Sequence, residues 1–183
     1  MFNIMKLKIK VKRINKNIEL PKIINKGEWV DLRAAQTISL KAPQAGTLKT
    51  HTVLGARVSS RDVSFNFNLI PLGIAMKLPK GFEAIVAPRS GTYKNYGIMQ
   101  ANSLGIIDNS YSGDEDEWMF PALSFINTTI NEGDRICQFR IQLSQKATIW
   151  QKIKWFLSSG IKIEEVECLN SKNRGGFSST GVK

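Results

Sequence analysis

A chain of 183 residues with 42% hydrophobic content holds enough apolar material for one core of ordinary domain size and too little length for two independent ones. Its apolar runs are short and broken by charge, and the segment from Met1 to Lys12 lacks the unbroken apolar stretch of a secretory signal, so no membrane span is expected and the predicted compartment is the cytoplasm. The formal charge of +11 leaves two kinds of anionic partner open, nucleic acid and small polyphosphates, because a basic field gathers either.

In chain order, Lys6-Leu7-Lys8-Ile9-Lys10-Val11-Lys12 alternates lysine with apolar residues, the period of a half-buried strand with its polar face in water. A polyanion-binding face is the second reading of the same run. The sole histidine, His51, has no assignable partner for a catalytic triad and reads as structural or incidental. Alternation returns in Ser64-Phe65-Asn66-Phe67-Asn68-Leu69, and Gly81-Phe82-Glu83-Ala84-Ile85-Val86-Ala87 is a further strand candidate. Many short strands set off by glycine and proline predict a closed or sandwiched β-architecture.

Pro88-Arg89-Ser90-Gly91 offers a guanidinium, a hydroxyl and a glycine that suit phosphate oxygens, although a plain proline-led turn gives the same pattern. Residues 102–113 read as a strand, a polar turn and a second strand, with Asp108 and Tyr111 near the bend. A carboxylate there can orient a water, and a tyrosine ring can pack on a sugar. The run Asp114-Glu115-Asp116-Glu117 is expected as an exposed loop, with Trp118, Phe120 and Pro121 returning the chain to the core. Gly133-Asp134-Arg135-Ile136-Cys137-Gln138 is a turn leading into a strand.

Residues 148–157 place Ile149, Ile153 and Phe156, with Trp150 and Leu157, on a rough helical face and Lys152 and Lys154 off it, so a short amphipathic helix lying on the domain or on a neighbouring subunit is predicted, with Gly160 as its stop. A contact with a membrane surface or with a further protein partner stays open for this helix. Residues 170–183 are rich in glycine, serine and threonine, a tail or a lid that orders over a ligand. Cys137 and Cys168 stand in no metal-like spacing, and either can be a core residue. No nucleophile with a base is evident; the scattered Asp, Arg, Ser and Gln suit direct attack of water on a metal-bound phosphate.

Five segments, in order, resemble the motifs of the trimeric deoxyuridine triphosphatases (dUTPases). They are Val30-Asp31-Leu32-Arg33-Ala34-Ala35; Pro88-Arg89-Ser90-Gly91 running on to Gly97-Ile98; Gly105-Ile106-Ile107-Asp108-Asn109-Ser110-Tyr111-Ser112-Gly113 with Asn102 just upstream; Gly133-Asp134-Arg135-Ile136-Cys137-Gln138; and Arg174-Gly175-Gly176-Phe177-Ser178-Ser179-Thr180-Gly181. The resemblance implies a mainly β, jelly-roll-like subunit with short helical elements, a catalytic domain over residues 1–169 and a flexible C-terminal arm over residues 170–183. It also implies a homotrimer whose active sites are shared between chains, Mg2+ as cofactor and dUTP as substrate.

By the same resemblance Asp108 binds the deoxyribose hydroxyl and orients the water that attacks the α-phosphorus, and Tyr111 lies under the sugar. The backbone around Gly105, Ile106 and Ile107 reads the uracil edge, with Asn102 supporting that hairpin or a bound water. Arg89, Ser90 and Gln138 touch phosphates, Gln138 near the α position, with Gly91 in the same turn. Asp31 supports the phosphate and magnesium region indirectly, through water or a neighbouring arginine. Phe177 covers the uracil while Arg174, Ser179 and Thr180 close on the terminal phosphates. Nucleic acid is not expected as a partner on this reading. A dCTP deaminase is the nearest enzyme rival and would need a glutamate beside the pyrimidine amino group, while a trimeric interaction module is the rival of a different class.

Overall fold

The computed structural model describes residues 5–24 and 27–176. In chain order its elements are β1 (Leu7–Arg13), β2 (Val30–Arg33), β3 (Ile38–Leu40), β4 (Gln44–Val53), β5 (Ala56–Ser64), β6 (Phe67–Lys77) and β7 (Phe82–Pro88), then the one-turn helix α1 (Thr92–Tyr96). There follow β8 (Ile98–Gln100), β9 (Gly105–Ile107), β10 (Glu117–Ser124), β11 (Thr128–Ile130), β12 (Arg135–Leu143), helix α2 (Ile149–Phe156) and β13 (Ile161–Glu165).

Two sheets carry the core. One has the order β13-β1-β6-β10-β8 and the other β2-β12-β7-β9, with a small β11-β3 pair and a separate β4-β5 hairpin. Period-two alternation explains why each strand buries one face. In β1 Leu7, Ile9 and Val11 are buried while Lys8 and Lys10 meet water, as the lysine-apolar alternation predicts. In β7 Phe82, Ala84 and Val86 turn inward. The inner faces merge in one cluster, bridged where Trp118 of β10 stands edge-on to Phe139 of β12 with ring centroids 5.4 Å apart. Each such side chain contributes roughly 1.5–3 kcal/mol by leaving water. The result is the mainly β, jelly-roll-like architecture with short helices that the motifs implied.

Four local expectations change. Residues 64–69 do not form one strand: β5 ends at Ser64, β6 begins at Phe67, and Phe65 and Phe67 stay exposed. Their alternation reflects the foot of the β4-β5 hairpin, every residue of which is exposed. Residues 102–113 contain a single strand, β9. The chain then turns repeatedly through Asp108 to Asp116, because Asp108 and Asp116 take neighbouring amides as hydrogen-bond donors and so compete with a sheet ladder.

The acidic run is not an exposed loop. Asp116 is 1% exposed, and Glu117 begins β10 with its Oε1 accepting from the Gly73 amide at 2.8 Å. Helix α2 forms as expected behind a capping box in which Thr148 and Gln151 exchange side chain for backbone. However, it ends at Phe156, and Gly160 (φ +107) precedes β13 instead of stopping the helix. Trp155 packs on Phe82 with centroids 5.3 Å apart, while Ile149, Trp150, Phe156 and Leu157 remain exposed within one chain.

Candidate functional site

At one end of the β2-β12-β7 edge the second and fourth motifs meet the first. Asp31 on β2 accepts from Arg89 Nε at 2.7 Å through one carboxylate oxygen and from an Arg135 terminal nitrogen at 3.0 Å through the other. The antiparallel register sets Gln138 beside Asp31 on one side and Ala87 on the other, and its Nε2 donates to the Pro88 carbonyl at 3.4 Å. The turn after Pro88 is held by Thr92, a buried residue to which the motif reading gave no part. Its hydroxyl accepts from the Arg89 amide at 3.0 Å and donates to the Ile136 carbonyl at 2.7 Å, tying the arginine turn to β12. The signal was present as a hydroxyl three residues after Arg89, the spacing of a side-chain-closed turn. Ser90 is exposed beside these groups, and Gly91 caps α1. Two guanidiniums beside one carboxylate leave a net positive edge suited to phosphate oxygens. Cys137 lies behind it, fully buried, its thiol pushed far up by burial and by Asp31, and so inert.

A second constellation gathers the third motif. β9 pairs with β7 so that Gly105 faces Val86 and Ile107 faces Ala84. Gly105, Ile106 and Ile107 form one wall of a cleft of about 240 Å³ that Gln100, Asn102, Tyr111, Glu117, Trp118 and Arg174 also border. Asp108 sits where β9 ends. Its Oδ1 accepts from both the Ser110 hydroxyl and the Ser110 amide, the latter at 2.9 Å, and its Oδ2 accepts from Arg174 at 2.7 Å. Burial alone would raise this carboxyl; the Ser110 donors and the Arg174 guanidinium outweigh it, and the acid lies below the ordinary carboxylate range. Asp108 is therefore an ionised acceptor at neutral pH. The Tyr111 hydroxyl donates to the Glu117 carbonyl at 2.7 Å, which fixes the ring at the cleft wall. Burial, then Asp116 and Glu117, raise the phenol, so it stays protonated.

The root of the C-terminal arm folds over this cleft along its own chain, held by the acidic run. Asp114 accepts from the Leu169 amide at 2.9 Å, and Asn173 accepts from the Glu115 amide at 3.1 Å. Asp116 accepts from the amides of Gly113 at 2.7 Å, Arg174 at 3.0 Å and Gly175 at 2.9 Å. Burial pushes the Asp116 carboxyl up, but these amide donors more than offset it and leave the group below the ordinary range. Gly113 lies so close to the arm that a methyl there would come within 2.5 Å of Asn173 Cα. A methyl at Gly176 would stand 3.1 Å from the Tyr111 hydroxyl and 3.3 Å from its ring, closer than ordinary contact, so the glycine lets the arm pass close to that ring. Nothing in the sequence marked Asp116 off from its acidic neighbours.

The two constellations are separate within one chain. Ile107 pairs with Ala84, so Asp108 stands level with Glu83 toward one end of β7 while Arg89 lies beyond its Pro88 end, roughly 20 Å of strand apart at about 3.3 Å per residue. Phe177, Ser179 and Thr180 lie outside the described residues. Among the described residues no cluster of three or more acids, histidines or cysteines is placed to cage a metal, and no helix is long and apolar enough to cross a membrane. Both oxygens of Asp31 are taken by arginines, so the donor set fits a magnesium ion carried by phosphate oxygens and water, with Asp31 acting through its arginines.

Comparison with known proteins adds independent findings. The family profile described as dUTPase matches residues 58–181. The chain is 39% identical, over 97% of its length and 100% of the relative's, to the SPbeta prophage-derived deoxyuridine 5'-triphosphate nucleotidohydrolase YosS of Bacillus subtilis. It is 31% identical to the deoxyuridine 5'-triphosphate nucleotidohydrolase of Helicobacter pylori strain P12, over 96% of this chain and 98% of that one. Among solved structures the dUTPase from Streptococcus mutans superposes with a TM-score of 0.57 at 17% identity, over 76% of this chain and 98% of that one. A D95N mutant dUTPase from phage phi11 of S. aureus, described with a coordinated structural Mg(II) ion, gives 0.57 at 15% identity over 77% and 94%.

Proposed function

The chain belongs to the dUTPase family of nucleotide hydrolases, and from that premise we propose that it hydrolyses dUTP to dUMP and pyrophosphate by direct attack of water on the α-phosphorus, with Mg2+. The observation that carries this reading is Asp108, an ionised carboxylate that directly follows the cleft-lining Ile107 and is hydrogen-bonded to Arg174, which borders the cleft together with the β9 residues and Tyr111. Tyr111, pinned by the Glu117 carbonyl, forms the floor for a deoxyribose and leaves no room for a 2′-hydroxyl. Asp108 accepts a hydrogen bond from the sugar hydroxyl and holds the water in line with the phosphorus, taking part of its proton's charge as it attacks. Gln138, Ser90 and the Arg89–Arg135 edge hold the phosphates. A magnesium ion, bound through phosphate oxygens and water beside Asp31 and its two arginines, would supply neutralisation of the phosphate charge.

Because Asp108 and Arg89 stand at opposite ends of β7, a triphosphate seated in one chain's cleft meets the cationic edge of another. This separation supports a homotrimer with shared active sites. The arm from residue 170 onward acts as the lid, its root already lying on the cleft. Cytoplasmic location accords with a soluble substrate.

Glu117 borders the cleft with a carboxyl raised by burial, although its Oε1 turns to the Gly73 amide, and this acid is the one feature favouring a dCTP deaminase. Product chromatography after incubation with dUTP, dCTP, dTTP and UTP, with and without magnesium, separates the readings. The expected result is magnesium-dependent dUMP and pyrophosphate from dUTP alone. Conversion of dCTP to dUTP with the triphosphate intact would establish the deaminase, and Asp108→Ala is expected to abolish hydrolysis while leaving the oligomer intact.

A further inference from the structure

Gln100 sits at the end of β8, 6% exposed, and borders the cleft beside Asn102 and Gly105. Its Nε2 donates to the Val86 carbonyl at 3.2 Å and to Asn102 Oδ1 at 2.9 Å. These two contacts settle which end of each amide is which. A backbone carbonyl only accepts, so the Gln100 atom facing Val86 is its NH2; the Asn102 atom facing the same NH2 is then its oxygen. Gly105 makes room for the relay, since a methyl there would stand 3.1 Å from Gln100 Nε2. The Gln100 Oε1 is left buried with no partner. An apolar residue of that size would avoid the cost of an unmade hydrogen bond, so a glutamine at this depth calls for a reason other than packing.

We propose that Gln100 is a specificity-determining positioning residue: it fixes the polarity of the Asn102 amide so that Asn102 offers its NH2, not its oxygen, to the pyrimidine in the cleft. This rests on the reading of the cleft as the base site. With Oδ1 committed to Gln100, the Asn102 group left for a ligand is a donor, and no acceptor among the described residues takes it. Uracil carries a carbonyl acceptor at the ring position where cytosine carries an amino donor. A donor held rigidly in place pairs with the first and meets the second donor-to-donor, and the energetic penalty falls on the unpaired, desolvated amino group. The Val86 carbonyl anchors the relay in the β7 ladder, so the amide cannot turn over to suit the other base.

The test compares kcat/KM for dUTP and dCTP, measured as dUMP and dCMP formed, in the full-length protein. Gln100→Met removes the relay and lets the Asn102 amide turn, and is expected to reduce the preference for dUTP about tenfold. Gln100→Glu replaces the donor by an acceptor, so Asn102 turns its NH2 toward residue 100 and its oxygen toward the base; the preference is expected to fall about a hundredfold, mainly through a gain on dCTP. In an Asn102→Ala background Gln100→Met should leave the ratio unchanged, because nothing remains to be oriented. If Gln100→Glu fails to fold, Gln100→Met and the double variant decide. An unchanged ratio in folded Gln100→Met, or an equal loss with and without Asn102, overturns the proposal. A wild-type enzyme with no preference for dUTP over dCTP would instead remove the base-site reading beneath it.

Discussion

Replacing Asp116 by asparagine should detach the root of the C-terminal arm without unfolding the domain. The carboxylate serves three amides at 2.7–3.0 Å, those of Gly113, Arg174 and Gly175. An asparagine of the same shape keeps one accepting oxygen and turns an NH2 toward donors. Hydrogen bonds to a charged group are worth about 1.5–3 kcal/mol each, so losing the half that serves the arm costs the docked state about 3 kcal/mol. At about 1.4 kcal/mol per tenfold, the docked population relative to the open one falls roughly a hundredfold. The loss is local, because β12 and β10 keep their ladders and the core cluster is untouched. Amide hydrogen exchange reads it directly: protection at Arg174 and Gly175 should drop by about two orders of magnitude while amides of β12 keep theirs. Unchanged protection at those two amides would refute the reasoning. The pH dependence has a definite sign. The folded Asp116 carboxyl lies below its unfolded value of about 3.9, so the tether is complete above that pH and is lost as pH falls through the depressed folded value. Acid should therefore release the arm in the wild type and change little in the asparagine variant.

Arg174→Ala removes one of the groups that hold Asp108 ionised against its burial, so the acid limb of the kcat/KM profile should move to higher pH; a fixed limb would show that this carboxylate does not govern it. Asp31→Ala leaves Arg89 and Arg135 side by side without their shared anion, and kcat/KM for dUTP should fall about tenfold or more. For each kcal/mol lost there, calorimetry should show a midpoint lower by about 2–4 °C. In the native protein alkylation should modify Cys168, which is exposed, and spare Cys137, with both thiols reacting only after denaturation; mass spectrometry of tryptic peptides checks this.

How much was legible follows from how local each feature is. The alternation in β1 and β7 states which face is buried, and both strands form as read. Gly133 and its neighbours announce a turn, and Gly133 adopts a positive φ there. The motif residues were visible because each motif is contiguous. What could not be read is pairing between distant segments. The same alternation that marks β1 also occurs at residues 64–69, where it straddles the end of β5 and the start of β6, and Phe65 and Phe67 stay exposed although residues 67–69 pair with β10. The acidic run looked like a solvated loop because charge alone says nothing of amides arriving from residues 174 and 175. Gln100 lies in a stretch whose side chains meet the cleft only after β8 and β9 have joined different sheets. The apolar face read for α2, with Ile149, Trp150, Ile153, Phe156 and Leu157, is exposed within one chain, and the ring that packs on the domain is Trp155, which that reading had not placed on the face.

The parallel pairing of β1 with β13, Leu7 beside Ile161 through Val11 beside Glu165, joins the first described strand to the last. During synthesis β1 emerges before the other described strands, and its outer edge waits for a strand made roughly 150 residues later, on the order of ten seconds at about 5–20 residues per second. The outward lysines Lys8 and Lys10 keep that waiting edge from pairing with other nascent chains. Since the arm root follows β13 directly, it reaches Asp116 only once this last strand has docked. The arm root thus docks after the described strands that precede it, and a nascent chain that already holds Asp108 and Tyr111 does so without Arg174 beside that carboxylate.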